Sequence, residues 1–255
     1  MEKFSLAHLK QLKQKNRKSI ARLAHTLPHR KREVYSLPRY DGTRPVCIAE
    51  VKKASPSEGH IRHVSPAGQA EVYMSGGASA VSVLVDDIYF SGSFDDLDAV
   101  STRVQAPVLC KEFVCTPEQV KAAWLAGADL VLLIVKMLED DELAELYSQV
   151  ASLGMTPLVE IHHESELERV QPLSPSTIMV NMRNLDTLNI DMDTGMQALR
   201  AIPSSIQKIS ASGIQGREDI QRVIEHTGTG TFLVGTALMK SENPRQLLEE
   251  LTSVR

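Results

Sequence analysis

Eight short runs of β-branched or leucine residues, each followed by a longer amphipathic stretch, predict an α/β protein built as a (β/α)8 TIM barrel with an N-terminal helical extension. Two further observations agree. The length of 255 residues suits one such barrel without long linkers. Charged and amide residues also gather where the runs end, and in barrels of this kind the C-terminal strand ends carry the chemistry. A doubly wound open sheet uses the same alternation but gives no reason for eight units. The expected organisation is a basic helical extension over 1–44 and a catalytic barrel over 45–255.

The first strand is expected at 46–51. It carries Glu50, with Lys52 two positions on, and strand side chains alternate, so both project to one face while Val51 and Lys53 take the other. Two opposite charges on a buried face are costly unless paired or used. A hydroxyl-rich Ser55-Pro56-Ser57 turn follows at once. Further strands are expected at 80–85, 107–111, 129–135, 156–161, 176–181, 206–211 and 231–235. Between them, 117–127 reads as a helix with Pro117 in its first turn and Gly127 as its stop. Another spans 141–152 and is closed by Gly154. A third spans 216–226, with Glu218 and Asp219 in the first turn, where the helix dipole favours acids.

Hydrophobic content of 42% and charged content of 24% are ordinary for a globular protein. Cys47, Cys110 and Cys115 form no CxxC pair, which points to reduced thiols and a cytoplasmic setting. No apolar run is long enough to span a bilayer, and no compact secretory leader is apparent, so no membrane is expected. Residues 1–35 hold ten Lys/Arg against Glu2 and Glu33, a local net of +8 that leaves −12 for the remainder of a chain at −4. Such an arm suits nucleic acid, a membrane surface or a transit segment. A solvated helix is favoured, because Leu6, Leu9, Leu12, Ile20 and Leu23 form a partial apolar stripe and stacking aromatics are scarce; no nucleic acid partner is expected.

The strand ends read Glu50 with Lys52, Lys111, Glu160, Asn181 with Arg183, Ser212, and Gly235-Thr236. Any one of these is a plausible solvated rim residue; together they argue for an active site. Two small-residue turns, Ser210-Ala211-Ser212-Gly213 and Val234-Gly235-Thr236, follow the seventh and eighth strands, where backbone N–H groups of such barrels grip phosphate. Ser55 offers a further hydroxyl from the first loop.

The ordered motifs IAEVKKASPS (48–57), SVLVDDIYFSGS (82–93), PVLCKEF (107–113), AGADLVLLIVKML (126–138), PLVEIHHESELE (157–168), VNMRNL (180–185), SASGI (210–214) and FLVGTALM (232–239) resemble the indole-3-glycerol phosphate synthases of tryptophan biosynthesis. The resemblance runs from about 45 to 251. It implies a carboxy-lyase that closes a ring in 1-(2-carboxyphenylamino)-1-deoxyribulose 5-phosphate with loss of CO2 and water, using no metal or organic cofactor. It implies Lys111 as the acid for ring closure, and Lys52 as the partner of the substrate carboxylate and an acid for dehydration. Glu160 is implied as base or charge stabiliser, and Glu50 as the group that orients the lysines. Asn181, Arg183 and Ser212 are implied to hold substrate and carboxylates, with Arg183 bracing the carboxylates. Phosphate is expected at Ser55, Gly213, Gly235 and Thr236. Leu84, Phe90 and Leu132 or Leu133 are expected to receive the anthranilate ring; alternation lets only one of the two leucines face inward, and Leu132 is favoured. The family's extension is a helical cover over the barrel mouth. A monomer acting on a small sugar phosphate is expected, with association to other enzymes of the pathway as a further partner.

Several positions depart from the family's pattern. Ala211 stands where the family has Glu, Glu112 where it has Asp, Met179 and Met182 flank Asn181, Val85 replaces Thr, and Glu58 and His60 stand in the first loop. Ala211 removes one carboxylate from the mouth. It supports the alternative of a divergent or inactive paralogue that binds a sugar phosphate or acts on a modified anthranilate. A different phosphate-binding barrel enzyme is a second rival, but the retained lysines disfavour both. Histidines raise a metal reading at His60/His63 and at His162-His163. Adjacent strand residues face opposite ways, so the last two cannot both enter the mouth, and no metal is expected.

Overall fold

The computed structural model describes residues 5–27, 29–55, 59–60 and 64–253. Eight parallel strands close a barrel in chain order: β1 (Val46–Val51), β2 (Ala80–Leu84), β3 (Val108–Lys111), β4 (Leu130–Ile134), β5 (Thr156–Ile161), β6 (Thr177–Asn181), β7 (Gln207–Ala211) and β8 (Thr231–Val234), with β8 returning to β1. Each lies within one or two residues of its expected position. Nearly every strand residue is buried, as expected for strands covered by helices outside and side chains inside.

Register decides which residues meet in the interior. Partnered residues of parallel strands face the same way, so Glu50↔Ser82, Leu84↔Lys111, Leu132↔Leu158, Ile134↔Glu160, Glu160↔Met179 and Asn181↔Ala211 form one inward-facing set. Lys53 belongs to the other face; its ammonium lies 2.7 Å from Asp96 on the helix Phe94–Ser101.

In front of the barrel stand α1 (Leu6–Lys15) and α2 (Arg17–Thr26), broken at Asn16. The barrel helices follow as α3 (Pro66–Ser75), α4 (Phe94–Ser101), α5 (Pro117–Leu125), α6 (Asp140–Ser152), the short α7 (Leu167–Val170), α8 (Met192–Ala201), α9 (Arg217–Thr227), α10 (Thr236–Lys240) and α11 (Pro244–Thr252). Their starts are encoded locally. Pro117 occupies the first turn of α5, and Gln119 Oε1 turns back to accept the Thr116 N–H at 3.1 Å. Asp191 Oδ1 accepts the Thr194 N–H at 3.0 Å to begin α8. A two-residue strand pair, Ala54–Ser55 with Gly59–His60, flanks the first loop. The expectations that involve Pro56, Ser57, Glu58 and His63 fall outside the described residues.

The three cysteines are buried free thiols. Burial pushes Cys47 up to about 12 and Cys115 up to about 11, so neither is a thiolate at neutral pH. Among the described residues no helix is long and apolar enough to cross a membrane.

Candidate active site

A cavity of about 730 Å3 opens at the C-terminal ends of the strands, and the residues expected to serve catalysis, phosphate and the ring line it, Leu133 excepted. Its centre is a carboxylate with two cations. Glu50, 3% exposed, places Oε1 3.1 Å from Lys52 Nζ, while Lys111 Nζ donates to Oε2 at 2.9 Å. Lys52 also donates to Thr236 Oγ1 at 2.9 Å, which ties the end of β1 to the turn after β8. Both lysines thus meet one buried anion, which resolves the cost of two charges on one strand face.

The electrostatics follow from this bridge. Burial alone would push the Glu50 carboxyl up, but Lys111 and Lys52 outweigh it and hold it at about 2. Burial would likewise pull Lys111 down, yet Glu50 and Glu160 outweigh it and hold the ammonium above its ordinary value. Lys111 is therefore a proton-bearing group at neutral pH.

A second array stands across the mouth. Asn181 Nδ2 donates to Glu160 Oε1 at 3.2 Å, and Ser212 Oγ donates to Asn181 Oδ1 at 2.8 Å. Ser212 reaches it because its backbone adopts φ of +68, a conformation rarely taken by non-glycine residues and one that recurs at functional sites. Gly213 continues the turn at φ +83. At the eighth strand's turn, Gly235 has no room for a side chain: a Cβ there would lie 2.3 Å from Glu50 Oε1. The backbone of this turn, which leads into α10, therefore packs directly against the carboxylate.

Arg183 differs from expectation. Among the described residues its guanidinium donates to the Leu188 carbonyl at 2.8 Å rather than bracing a carboxylate, and its backbone N–H donates to Asn181 Oδ1 at 3.1 Å. The physical reason is the loop after β6, which folds back in an isolated bridge between Arg183 and Ile190 and offers that carbonyl at close range. Leu132 lines the cavity and Leu133 does not. Ala211 is 1% exposed, and its register between Asn181 and Leu233 puts it on the inward face.

Sequence reasoning missed part of the wall: Glu112, Phe113, Ile134, Leu188, Ile190 and Lys240 also line the cavity. Phe113 was within reach, two residues past Lys111, and its ring packs against Phe90 with centroids 6.1 Å apart. Leu188 and Ile190 lie in a loop with no periodic signal. His162 is buried, with Nε2 3.6 Å from Glu160 Oε1, whereas His163 is exposed, so the two do not share the mouth. Among the described residues no group of three or more His, Cys, Asp or Glu could hold a metal ion.

Comparison with known proteins gives a consistent result. The family model described as indole-3-glycerol phosphate synthase matches residues 1–251. The indole-3-glycerol phosphate synthase of Aquifex aeolicus is 45% identical over 206 residues, covering 80% of each chain. That of Crocosphaera subtropica is 42% identical over 218 residues, 83% of this chain and 74% of the relative. Among solved structures, the N-acetylmannosamine-6-phosphate 2-epimerase from Clostridium perfringens superposes with a TM-score of 0.60 at 13% identity, covering 79% of this chain and 89% of that one, a likeness of fold alone.

Proposed function

Because the chain belongs to the indole-3-glycerol phosphate synthase family, we propose that its cavity runs that family's reaction with the residues described above in defined roles. The protein is a carboxy-lyase of tryptophan biosynthesis. It converts 1-(2-carboxyphenylamino)-1-deoxyribulose 5-phosphate to indole-3-glycerol phosphate, releasing CO2 and water. The observation that carries the assignment of roles is the Lys52–Glu50–Lys111 bridge facing the Glu160–Asn181–Ser212 array.

Lys111 is the general acid for ring closure. As the aromatic carbon bearing the carboxylate attacks the ribulose carbonyl, the carbonyl oxygen gains negative charge and takes a proton from the ammonium. Lys52 pairs with the substrate carboxylate until it leaves as CO2, then protonates the departing hydroxyl in the dehydration. Glu160 accepts the proton lost as the indole becomes aromatic, and its charge stabilises the developing iminium. Asn181 and Ser212 orient Glu160 and the substrate hydroxyls. Glu50 holds both lysines in place and keeps Lys111 charged.

Ser55, Gly213, Gly235 and Thr236 take the phosphate, with Leu84, Phe90 and Leu132 around the ring. Arg183 serves through its backbone N–H and its hold on the loop after β6. Against the inactive or specialised alternative suggested by Ala211 stand the retained Glu50, Lys52, Lys111, Glu160 and Asn181, all of which line the cavity. Residues 1–44 act as an extension to the catalytic barrel of 45–255. Among the described residues the exposed large apolar side chains Val34, Val72, Ile88 and Ile190 come from four separate segments, which suits a monomer, and the free buried cysteines suit the cytoplasm.

The test is product fluorescence, since the indole emits where its precursor does not. Wild-type protein is expected to form product, and Lys111→Ala to lose roughly 10²–10⁴ in kcat. Absence of product from wild type, with Lys111→Ala indistinguishable from it, overturns the assignment.

A further inference from the structure

Lys13 lies in α1 between the partly exposed Lys10 and the exposed Lys15, yet it is only 3% exposed. Its ammonium sits 2.7 Å from Asp86 Oδ1 and 3.1 Å from both Oε1 and Oε2 of Glu112. A third carboxylate, Asp87 Oδ1 at 3.2 Å, is 71% exposed and contributes little. Asp86 begins the loop after β2, and Glu112 directly follows Lys111 at the end of β3.

Each of the two buried carboxylates also shapes backbone. Asp86 Oδ2 accepts the Tyr89 N–H at 2.7 Å, and the Asp86 carbonyl accepts the Gly92 N–H at 2.8 Å, closing the turn that presents Phe90. Glu112 Oε1 accepts the Phe113 N–H at 2.7 Å. Phe90 and Phe113 line the cavity with their rings tilted by 36° against each other. One ammonium from the extension thus bridges both carboxylates that set the backbone on either side of an aromatic pair.

We propose that Lys13 is a positioning residue for the aromatic wall of the substrate site, so that the N-terminal extension helps set affinity for the substrate's ring. The proposal rests on the reading of this cavity as the synthase site. Without the ammonium, two carboxylates in a dry environment face each other, and the loops that carry Phe90 and Phe113 must part or one carboxyl must take a proton. Burial already pushes Glu112 up to about 7, with Lys13 opposing that rise and Asp86 adding to it. Either response disturbs the acceptor that holds an aromatic residue's N–H.

The experiment compares wild type, Lys13→Met and Lys13→Arg by kcat and KM for 1-(2-carboxyphenylamino)-1-deoxyribulose 5-phosphate. It adds competitive inhibition by inorganic phosphate and thermal melting by circular dichroism. Lys13→Met is expected to raise KM roughly tenfold, with kcat changed less than about threefold. Phosphate inhibition, which reports the opposite end of the site, stays unchanged, and Lys13→Arg recovers most of the lost affinity. An unchanged KM overturns the proposal, as does a KM that moves together with phosphate inhibition. Should Lys13→Met fail to fold, Lys13→Gln, which keeps a donor for one carboxylate but removes the charge between the two, decides on the same readouts. Its KM must rise with phosphate inhibition intact, and a wild-type KM overturns the proposal. Wild-type turnover in the same assay tests the synthase reading separately. If wild type turns over and Lys13→Met binds substrate equally well, only this inference fails.

Discussion

Replacing Glu50 by Gln keeps the shape of the side chain and removes the one anion that Lys52 and Lys111 share. At about 3 Å and an effective dielectric of about 20, each ammonium–carboxylate attraction is worth about 5 kcal/mol before desolvation is subtracted. The net figure is smaller. A carboxyl held at about 2 rather than its ordinary 4.5 corresponds to about 3 kcal/mol of stability at neutral pH. That agrees with the roughly 3–5 kcal/mol typical of breaking a buried ion pair. Because the folded carboxyl lies below its unfolded value, this contribution is complete above pH 4.5, shrinks as pH falls, and is gone below about 2. Urea unfolding of wild type and Glu50→Gln should therefore differ by about 3 kcal/mol at pH 7, and by about half of that near pH 3. The substitution also strips Lys111 of the nearest anion that keeps it protonated, so the alkaline limb of the kcat/KM profile should move to lower pH. A stability gap independent of pH, or an alkaline limb displaced upward, refutes the reasoning.

Two further outcomes follow from the same site. Gly235→Ala would place a Cβ 2.3 Å from Glu50 Oε1, so the carboxylate must shift and kcat/KM should fall roughly 100-fold, while a melting temperature near wild type separates this from unfolding. Activity should survive exhaustive treatment with a chelator; complete loss that zinc restores would reverse the view taken of the histidines.

The sequence exposes the parts of this site that obey a period. Alternation along 46–52 puts Glu50 and Lys52 on one face, and strands expected to end at 111, 161 and 181 carry Lys111, Glu160 and Asn181 at or next to their ends. Parallel register then did what the sequence cannot state, bringing Glu50 to Lys111 across 61 residues. Three features escaped for physical reasons. The Arg183 guanidinium found a carbonyl in an aperiodic loop where Leu188 adopts φ of +62. Ser212 bends through a left-handed conformation that no residue type announces unless it is glycine. Lys13 falls on the buried stripe with Leu6 and Leu9, but a lysine at that spacing reads as a solvated position until its carboxylates, 73 and 99 residues away, are brought to it.

Among the described residues, five of the ten basic residues in the first 35 positions, Lys10, Lys13, Arg17, Arg30 and Arg32, pair with acids of the barrel. Lys10 pairs with Glu142 and Arg17 with Glu118 along the flank, both partly solvated. The two buried fastenings lie at opposite ends of the barrel and differ in kind. At the base, Asp129, fully buried ahead of β4, receives Arg30 Nη2 at 2.7 Å, Arg32 Nη2 at 2.8 Å and the N–H groups of Tyr35 and Val108 at 3.1 and 2.9 Å. Four donors meet one carboxylate there, and both its oxygens are satisfied. At the mouth the ratio is inverted, with one ammonium serving three carboxylates, of which two are buried. A fully satisfied set fixes the chain and has little left to give, whereas an anion-rich one is sensitive to any cation or proton that joins it. The extension is therefore anchored by a satisfied set at the base of the barrel, and held by a charge-sensitive contact beside the aromatic wall of the cavity.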